Sequence, residues 1–202
     1  MAEDGYPGDL IDLVVGQPMW ERFFTVAPLV LIGTMEKGGH DLAPKHMAMP
    51  LGRSNYFCFV CTPVHATQRN AQHSGAFTVS FPRPDQIVQA SMAAAPRLDD
   101  DEKPSLAAIP VFPARVVEGV LVRDAYLWFE CRVDRVLDGF GTNSLIIGEI
   151  VAAAVAEGSQ RGPDTDDADL LAREPLLAYV SPGRCASIVQ SQGFPFHAGM
   201  PH

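Results

Sequence analysis

Short strand-like segments separated by turn residues recur along most of this chain, and they restrict it to a mainly β fold. After Pro28 the segments are PLVLIGTM, Lys45–Met49, Tyr56–Thr62 and Ala76–Phe81, with another near Ala114–Val117. Two longer segments follow, AYLWFECRVDRVLD and NSLIIGEIVAAAVAEG, and the first alternates polar and apolar residues with the period of a strand. Six or seven strands with few helices predict a barrel or a sandwich.

The predicted helices are short and the chain is predicted to be one domain, residues 1–202. Apolar spacing predicts an N-terminal helical segment within residues 1–27, interrupted at Gly16-Gln17-Pro18. A second helix begins near His65 and ends at Gly75, and a third covers DQIVQASMAAA with Asp85 as its N-cap. An acidic connector, residues 159–175, contains a short helix around Ala168–Arg173, and residues 190–202 form a tail.

The composition argues against two classes of partner. The net charge is -9, whereas a protein that binds the phosphate backbone of nucleic acid presents a basic face. No apolar run reaches the roughly 18 residues of a membrane span, and the acidic N-terminus lacks the features of a signal peptide. We therefore expect a cytoplasmic protein that binds neither nucleic acid nor a membrane.

Two patterns that suggest metal or redox sites have simpler explanations. The acidic runs LDDDE at 98–102 and DTDDAD at 164–169 lack the glycine and terminal glutamate of a calcium loop, so solvated loops are expected. Cys58 and Cys61 form a C-x-x-C pattern, but residues three apart on a strand point to opposite faces. No second pair completes a zinc site. We expect buried free thiols and no metal site.

One segment has the features of a phosphate-binding turn. In CTPVHATQRN, Thr62 ends a strand, and His65, Thr67, Arg69 and Asn70 follow at the start of the predicted helix. Free backbone N–H groups and the helix dipole favour a phosphate there, and hydroxyl and basic side chains add hydrogen bonds. An ordinary capped helix is the alternative. Classical nucleotide and hydrolase motifs are missing, so any catalysis would belong to a cofactor.

The segment HDLAPKHMAMPLG, residues 40–52, lies between two apolar strands and suits a flat ligand. Ala43 and Ala48 are small, and Pro44 removes a hydrogen-bond donor and so marks an edge or irregular strand. A planar ring beside this strand, with its phosphate at the Thr62–Asn70 turn, describes flavin mononucleotide (FMN).

The order of motifs along nearly the whole chain resembles the flavin reductase-like FMN-binding split-barrel family. The resemblance runs from PLVLIGTMEKGGHDLAP to PLLAYVSPG. Its motifs are Asp41-Leu42-Ala43-Pro44, the turn His65-Ala66-Thr67-Gln68-Arg69-Asn70, the strand GAFTVSF, ECRV at Glu130–Val133 and IIGEIV at Ile146–Val151.

The resemblance implies a homodimer with one FMN per subunit near the interface. It implies an enzyme in which NAD(P)H passes a hydride to flavin N5, and the reduced flavin serves an acceptor or a partner monooxygenase. Three segments would bind FMN: the 41–48 strand, the phosphate turn and the 77–82 strand. The residues so implied are Asp41, Leu42, Ala43, Lys45, His46, Met47, Ala48, Thr62, His65, Thr67, Asn70, Ser80 and Phe81.

Several individual residues depart from the family pattern or have open roles. Many relatives have Ser and Lys where His46 and His65 stand, and Asp41 replaces the commoner Asn. His46 either lines the pocket or is structural, and His197 either lies in a free tail or folds over the flavin with Phe194 and Phe196. No side chain is assigned a certain catalytic role, and His46 and His197 are the candidates.

Other polar and aromatic residues are expected to be structural. Glu130 and Glu149 should face solvent or pair with Arg132 or Arg135, and Trp20 and Trp128 should lie in the core or at a subunit interface. Two alternative functions remain open. One is a split-barrel flavoenzyme that acts directly on an organic or metal-complex substrate, and the other is a non-catalytic barrel that holds haem or no cofactor.

Overall fold

Antiparallel strands dominate the structure, a computed structural model that describes residues 10–197. Twelve strands form in this range. They are β1 Thr25–Pro28, β2 Val30–Glu36, β3 Gly39–Lys45, β4 Ala48–Pro50, β5 Tyr56–Cys61, β6 Ala76–Phe81, β7 Val111–Pro113, β8 Val120–Val122, β9 Leu127–Phe140, β10 Asn143–Val155, β11 Leu176–Ser181 and β12 Arg184–Ile188. The predicted mainly β fold is confirmed.

Seven of these strands form one curled half-barrel sheet in the order β3-β2-β6-β9-β10-β5-β4. The long strands β9 and β10 pair along most of their length, with register shifts that bend the sheet between Ile147 and Gly148 and between Ile150 and Ala152. Strands β1, β11 and β12 form a second sheet, and β7 pairs with β8. The strand predicted over Lys45–Met49 is instead divided between β3 and β4.

Three short helices accompany the strands: α1 Ala66–Ser74, α2 Ile87–Met92 and α3 Asp167–Arg173. Helix α1 ends at Gly75, whose positive φ of 69° confirms the predicted C-cap. The predicted N-cap Asp85 is wrong, because Asp85 lies within a 3₁₀ turn, Pro84–Gln86, that precedes α2. None of the helices in residues 10–197 is long and apolar enough to cross a membrane.

The N-terminal helical segment was predicted wrongly for the part that the structure describes. Residues 10–24 form turns and bends, and Thr25 begins β1. Residues 1–9 of the predicted segment lie outside the described residues. Leu10, Ile11 and Val15 remain exposed, so the apolar spacing has no partner surface in the isolated chain. A short helix needs packing to be stable in water, and these three side chains contribute little of it.

Apolar side chains form two clusters, one on each face of β2. Val30 and Ile32 pack into one cluster with Phe57, Phe59 and other side chains, while Leu31 packs into the second. The second cluster also contains residues from α2, β8 and β11. Both faces of β2 are therefore buried, which explains its continuous apolar sequence.

Glu130 was predicted to face solvent or to pair with Arg132 or Arg135, and this prediction is wrong. Glu130 is 3% exposed, and its carboxylate accepts hydrogen bonds from the backbone N–H groups of Arg115, Val116 and Val117. This bonding holds the turn between β7 and β8, where a strand had been predicted over Ala114–Val117. Glu149 is exposed, as expected.

The cysteines and tryptophans also have definite positions. Cys58 and Cys61 are buried free thiols, as expected. Cys131 is also a buried free thiol, and Cys185 is exposed. Trp128 is partly buried and its indole N–H donates to the Val122 carbonyl at 2.7 Å. Trp20 is 63% exposed and therefore lies outside the core of the isolated chain.

Candidate flavin site

A cavity of about 420 Å³ lies between β3, the start of α1 and the segment that follows α2. Its β3 wall contains Ala43 and Pro44, and its opposite wall is the run Ala93–Pro96. Small side chains on both walls leave room for a ligand to approach the backbone. The volume falls in the range of roughly 300–1,000 Å³ that small-molecule sites occupy. We call this the flavin cavity, after the ligand that the family resemblance leads us to expect.

The N-terminus of α1 borders the flavin cavity through Ala66 and Thr67. Its N-cap residue, His65, has an extended backbone and makes no side-chain cap bond, and the first turn contains no acidic residue. The first N–H groups of a helix have no partner within the helix. Because the helix dipole adds positive potential at this end, an anion is favoured there.

Asp41 connects the three elements that surround the cavity. Asp41 is 3% exposed, and its carboxylate accepts a hydrogen bond from the Thr67 hydroxyl on α1 at 3.2 Å and another from Lys103 Nζ at 3.2 Å. Arg97 Nη2 lies 3.3 Å from the same carboxylate. A buried carboxylate needs such partners to remain charged. Asp41 is therefore a fully paired support of the site.

Four cationic side chains line the flavin cavity: Lys45, Arg69, Arg97 and Lys103. Two carboxylates, Asp41 and Asp101, also line it. The cavity therefore carries an excess of two positive charges when its histidine is neutral. This potential suits an anionic ligand.

Arg97 and Lys103 are also fixed by neighbouring groups. Lys103 donates to the carbonyls of Leu42 and Ala93 at 2.8 and 2.7 Å, and Arg97 donates to Glu36 at 2.6 Å. Burial alone would lower the pKa of Arg97, but the bond to Glu36 and the charge of Asp41 raise it above its ordinary value. Both cations are held in place before a ligand arrives.

Two histidines near the cavity have lowered pKa values. Burial is the main cause for His65, and the neighbouring charges of Lys45 and Arg69 add to it. Burial and Lys45 likewise lower the pKa of His46. Both imidazoles are therefore predominantly neutral at pH 7 in the isolated chain.

The structure brings five of the predicted site residues to the flavin cavity: Asp41, Ala43, Lys45, His65 and Thr67. The others do not line it. Four of them pack toward the interior: Leu42, Ala48, Ser80 and Phe81. Met47 is exposed, and Thr62 directly follows β5. The Asn70 side chain donates to Thr34 and Glu36, and the His46 ring stacks on Tyr179. His197 is exposed and lies away from the cavity lining.

Sequence analysis missed Arg97 and Lys103 as site residues, as well as the Ala93–Pro96 wall. The two cations flank the acidic run 98–102, which was interpreted as a solvated loop. Their position at the two ends of this acidic run was the available indication. Within residues 10–197, His, Cys, Asp and Glu side chains form no group of three that could hold a metal ion.

Similarity to known proteins supports the fold independently. A flavoredoxin from Methanosarcina acetivorans is 19% identical, with a TM-score of 0.76 over 95% of this chain and 98% of that one. A Shewanella frigidimarina protein with a split barrel domain is 19% identical, with a TM-score of 0.74 over 85% of this chain and 87% of that one. Component B of nitrilotriacetate monooxygenase from Bacillus cereus is 19% identical, with a TM-score of 0.71 over 84% and 88%.

No curated protein sequence gives a significant match. The family model described as the flavin reductase like domain matches residues 23–180. This range includes β1 to β10, all three helices and most of β11, and therefore every wall of the flavin cavity. The chain belongs to the flavin reductase-like family and has its split-barrel fold.

Proposed function

We propose that the flavin cavity binds FMN and that the protein is an NAD(P)H:flavin oxidoreductase. The observation that carries the proposal is the uncapped N-terminus of α1, which opens into a cationic cavity in a chain of the flavin reductase-like family. When bound, the flavin supplies the chemistry, because its ring accepts a hydride from a nicotinamide.

The residues around the cavity fit FMN at both ends of the molecule. The phosphate would lie at the N-terminus of α1, where Arg69 and Lys103 supply positive charge. The ring would lie against β3, where Ala43 and Pro44 leave the backbone accessible. Asp41 would support this arrangement rather than contact the phosphate, because its carboxylate is negative and already paired.

The protein's own contribution would be binding and positioning. Lys103, Asp41 and Thr67 tie β3 to α1 and to the segment after α2, so the cavity walls keep their spacing. A preorganised site lowers the entropic cost of bringing two rings together. No side chain acts as acid or base in this proposal, and the exposed His197 has no assigned role.

We further propose a homodimer, with the reduced flavin serving an acceptor or a partner monooxygenase. Large apolar side chains are exposed in two short stretches, Trp20, Phe24 and Val26 in the first and Met47 and Met49 in the second. Exposed apolar surface of this kind marks interaction sites. The similarity to component B of a monooxygenase supports the partner. Light scattering would give the subunit number directly, and a monomeric mass would refute the dimer.

The decisive experiment is an anaerobic titration. Protein loaded with FMN and freed of excess is mixed with NADH or NADPH while the visible flavin absorption is followed. Rapid bleaching is the expected result, and the faster of the two nucleotides identifies the preferred reductant. Retained FMN that neither nucleotide bleaches would refute the reductase and leave an FMN protein with another substrate.

A charge variant tests where the phosphate binds. Arg69 is exposed, and within residues 10–197 its side chain bonds only the Val64 carbonyl, at 2.6 Å, so Arg69→Gln should fold normally. We expect FMN affinity to fall about tenfold, the value of one charge-assisted hydrogen bond. Arg53→Gln removes an exposed arginine outside the cavity and is the matched control. Equal affinity in both variants would refute this phosphate position.

A further inference from the structure

A second cavity, of about 430 Å³, lies beside the flavin cavity, and we call it the hairpin cavity. It is an open cavity lined by the end of β3, by α2 and by the turn that joins β11 to β12. Its walls are largely apolar and include Leu29, Ile87 and Ala90. Pro44 and Ala94 line both cavities, so the two are neighbours across these residues.

One cation in this apolar setting, Arg184, has no partner within the part of the chain that the structure describes. Arg184 is exposed and lines the hairpin cavity, and its guanidinium makes no hydrogen bond or ion pair with any residue from 10 to 197. No aspartate or glutamate is among the described residues that line the cavity. A planar guanidinium with free donors binds carboxylates through two parallel hydrogen bonds.

An aromatic pair forms part of the wall. The rings of His46 and Tyr179 stack with centroids 4.2 Å apart at 23°, and both residues line the hairpin cavity. The Tyr179 hydroxyl accepts a hydrogen bond from the Gly183 N–H at 2.9 Å, which ties the ring to the turn before Arg184. Flat aromatic surfaces favour contact with another ring.

We infer that the hairpin cavity binds a small aromatic carboxylate, with the ring among the apolar and aromatic walls and the carboxylate on Arg184. Together, the apolar and aromatic walls and the Arg184 guanidinium favour an anion that has an apolar ring. Its binding depends on residues of this cavity alone. Its position beside the flavin rests on the proposed function, since the two cavities share Pro44 and Ala94.

Cys185 provides a reporter inside this cavity. It lines the cavity and is exposed, whereas the other three cysteines of the chain are buried. Iodoacetamide should therefore alkylate Cys185 first in the folded protein. An occupied cavity should slow that reaction. Cys185→Ser identifies the alkylated residue by mass.

The test uses benzoate as the probe and benzamide, its neutral analogue, as the comparison. Benzoate binding is measured by calorimetry and by protection of Cys185. We expect benzoate to bind at least tenfold more tightly than benzamide, to protect Cys185, and to lose both effects in Arg184→Gln. Arg53→Gln, which removes an exposed arginine elsewhere, should keep them. Absent benzoate binding, equal binding of the two probes or unchanged binding in Arg184→Gln would overturn the inference.

A second variant closes the cavity without removing the charge. Ser91 is exposed and lines the hairpin cavity but not the flavin cavity, so Ser91→Phe should abolish benzoate binding while FMN still binds. Wild-type protein that binds benzoate but not FMN would refute the proposed function alone. Competition between FMN and benzoate for one site would overturn the separate carboxylate site and leave the FMN proposal standing.

Discussion

Thr67 on α1 donates its hydroxyl hydrogen to the carboxylate of Asp41 on β3, with 3.2 Å between the two oxygens. The residues are 26 positions apart, and both are almost fully buried. This bond fixes the distance between the strand that would carry the ring and the helix that would carry the phosphate. Thr67 was predicted to contact the phosphate or to support that contact, and in this structure its hydroxyl donates to Asp41.

Thr67→Ala should weaken FMN binding by about tenfold, because losing one hydrogen bond to a carboxylate costs about 1.5 kcal/mol and loosens α1 against β3. Fluorescence titration of FMN measures the change. Thr67→Ser keeps the hydroxyl and should bind nearly as well as the wild type. Equal weakening in both variants would point to the methyl group and contradict the role of the bond.

Lys103→Met should destabilise the fold by about 3 kcal/mol. The side chain is 8% exposed, and its removal leaves the Asp41 charge and the carbonyls of Leu42 and Ala93 with fewer partners, a buried loss that typically costs this much. Urea unfolding measures the free energy. Lys37→Met changes an exposed lysine of the β2–β3 turn and should stay within about 0.5 kcal/mol of wild type. Similar losses of unfolding free energy in Lys103→Met and Lys37→Met would contradict the pairing of Lys103 with Asp41.

Glu130→Gln should destabilise the protein by about 2 kcal/mol, because an amide cannot accept all of the N–H groups of the β7–β8 turn. Burial by itself raises the pKa of Glu130, but these backbone bonds together hold it below its ordinary value. The carboxylate therefore contributes stability above that ordinary value, which is lost as the pH falls through the lowered pKa.

Urea unfolding at pH 7 and in acid checks the Glu130 prediction. The difference between wild type and Glu130→Gln should be largest at pH 7 and shrink in acid. Glu149→Gln, on the neighbouring strand β10 and exposed, is the matched control and should change little. A gap that persists below the lowered pKa would mean that the charge of Glu130 is not what holds the turn.

His46 should make the protein less stable below neutral pH. Its pKa is lowered by burial and by Lys45, so the unfolded chain binds the proton more readily than the folded one. The stability contributed by the neutral imidazole is present above about pH 6.5 and is lost as the pH falls below that value. His46→Phe keeps a ring against Tyr179 and cannot take up a proton.

Unfolding free energies at pH 7.5 and pH 5.5 check this prediction. Wild type should lose more stability over that interval than His46→Phe. His65→Gln serves as the comparison, because His65 has a lowered pKa for similar reasons but is more exposed. An identical loss in wild type and His46→Phe would show that the folded chain protonates His46 without penalty.

Local sequence patterns by themselves predicted most strands and helix α1. The apolar run at β2, the alternation along β9 and the turn residues between strands predicted a mainly β fold, because side-chain period follows backbone geometry. Helix α1 was predicted through Gly75, since few residues other than glycine adopt a positive φ there. Family membership was also apparent from the order of short motifs.

Only the tertiary structure decided which side chains meet. Arg97 and Lys103 reach Asp41 from more than fifty residues away, and Glu130 finds backbone donors in a turn that had been predicted as a strand. The spacing of residues 10–24 suggested a helix, but an isolated short segment without a packing partner does not hold that conformation. Sequence period specifies which face a residue takes on its own element. The partner across the site depends on sheet register and on how connections cross, which no local pattern encodes.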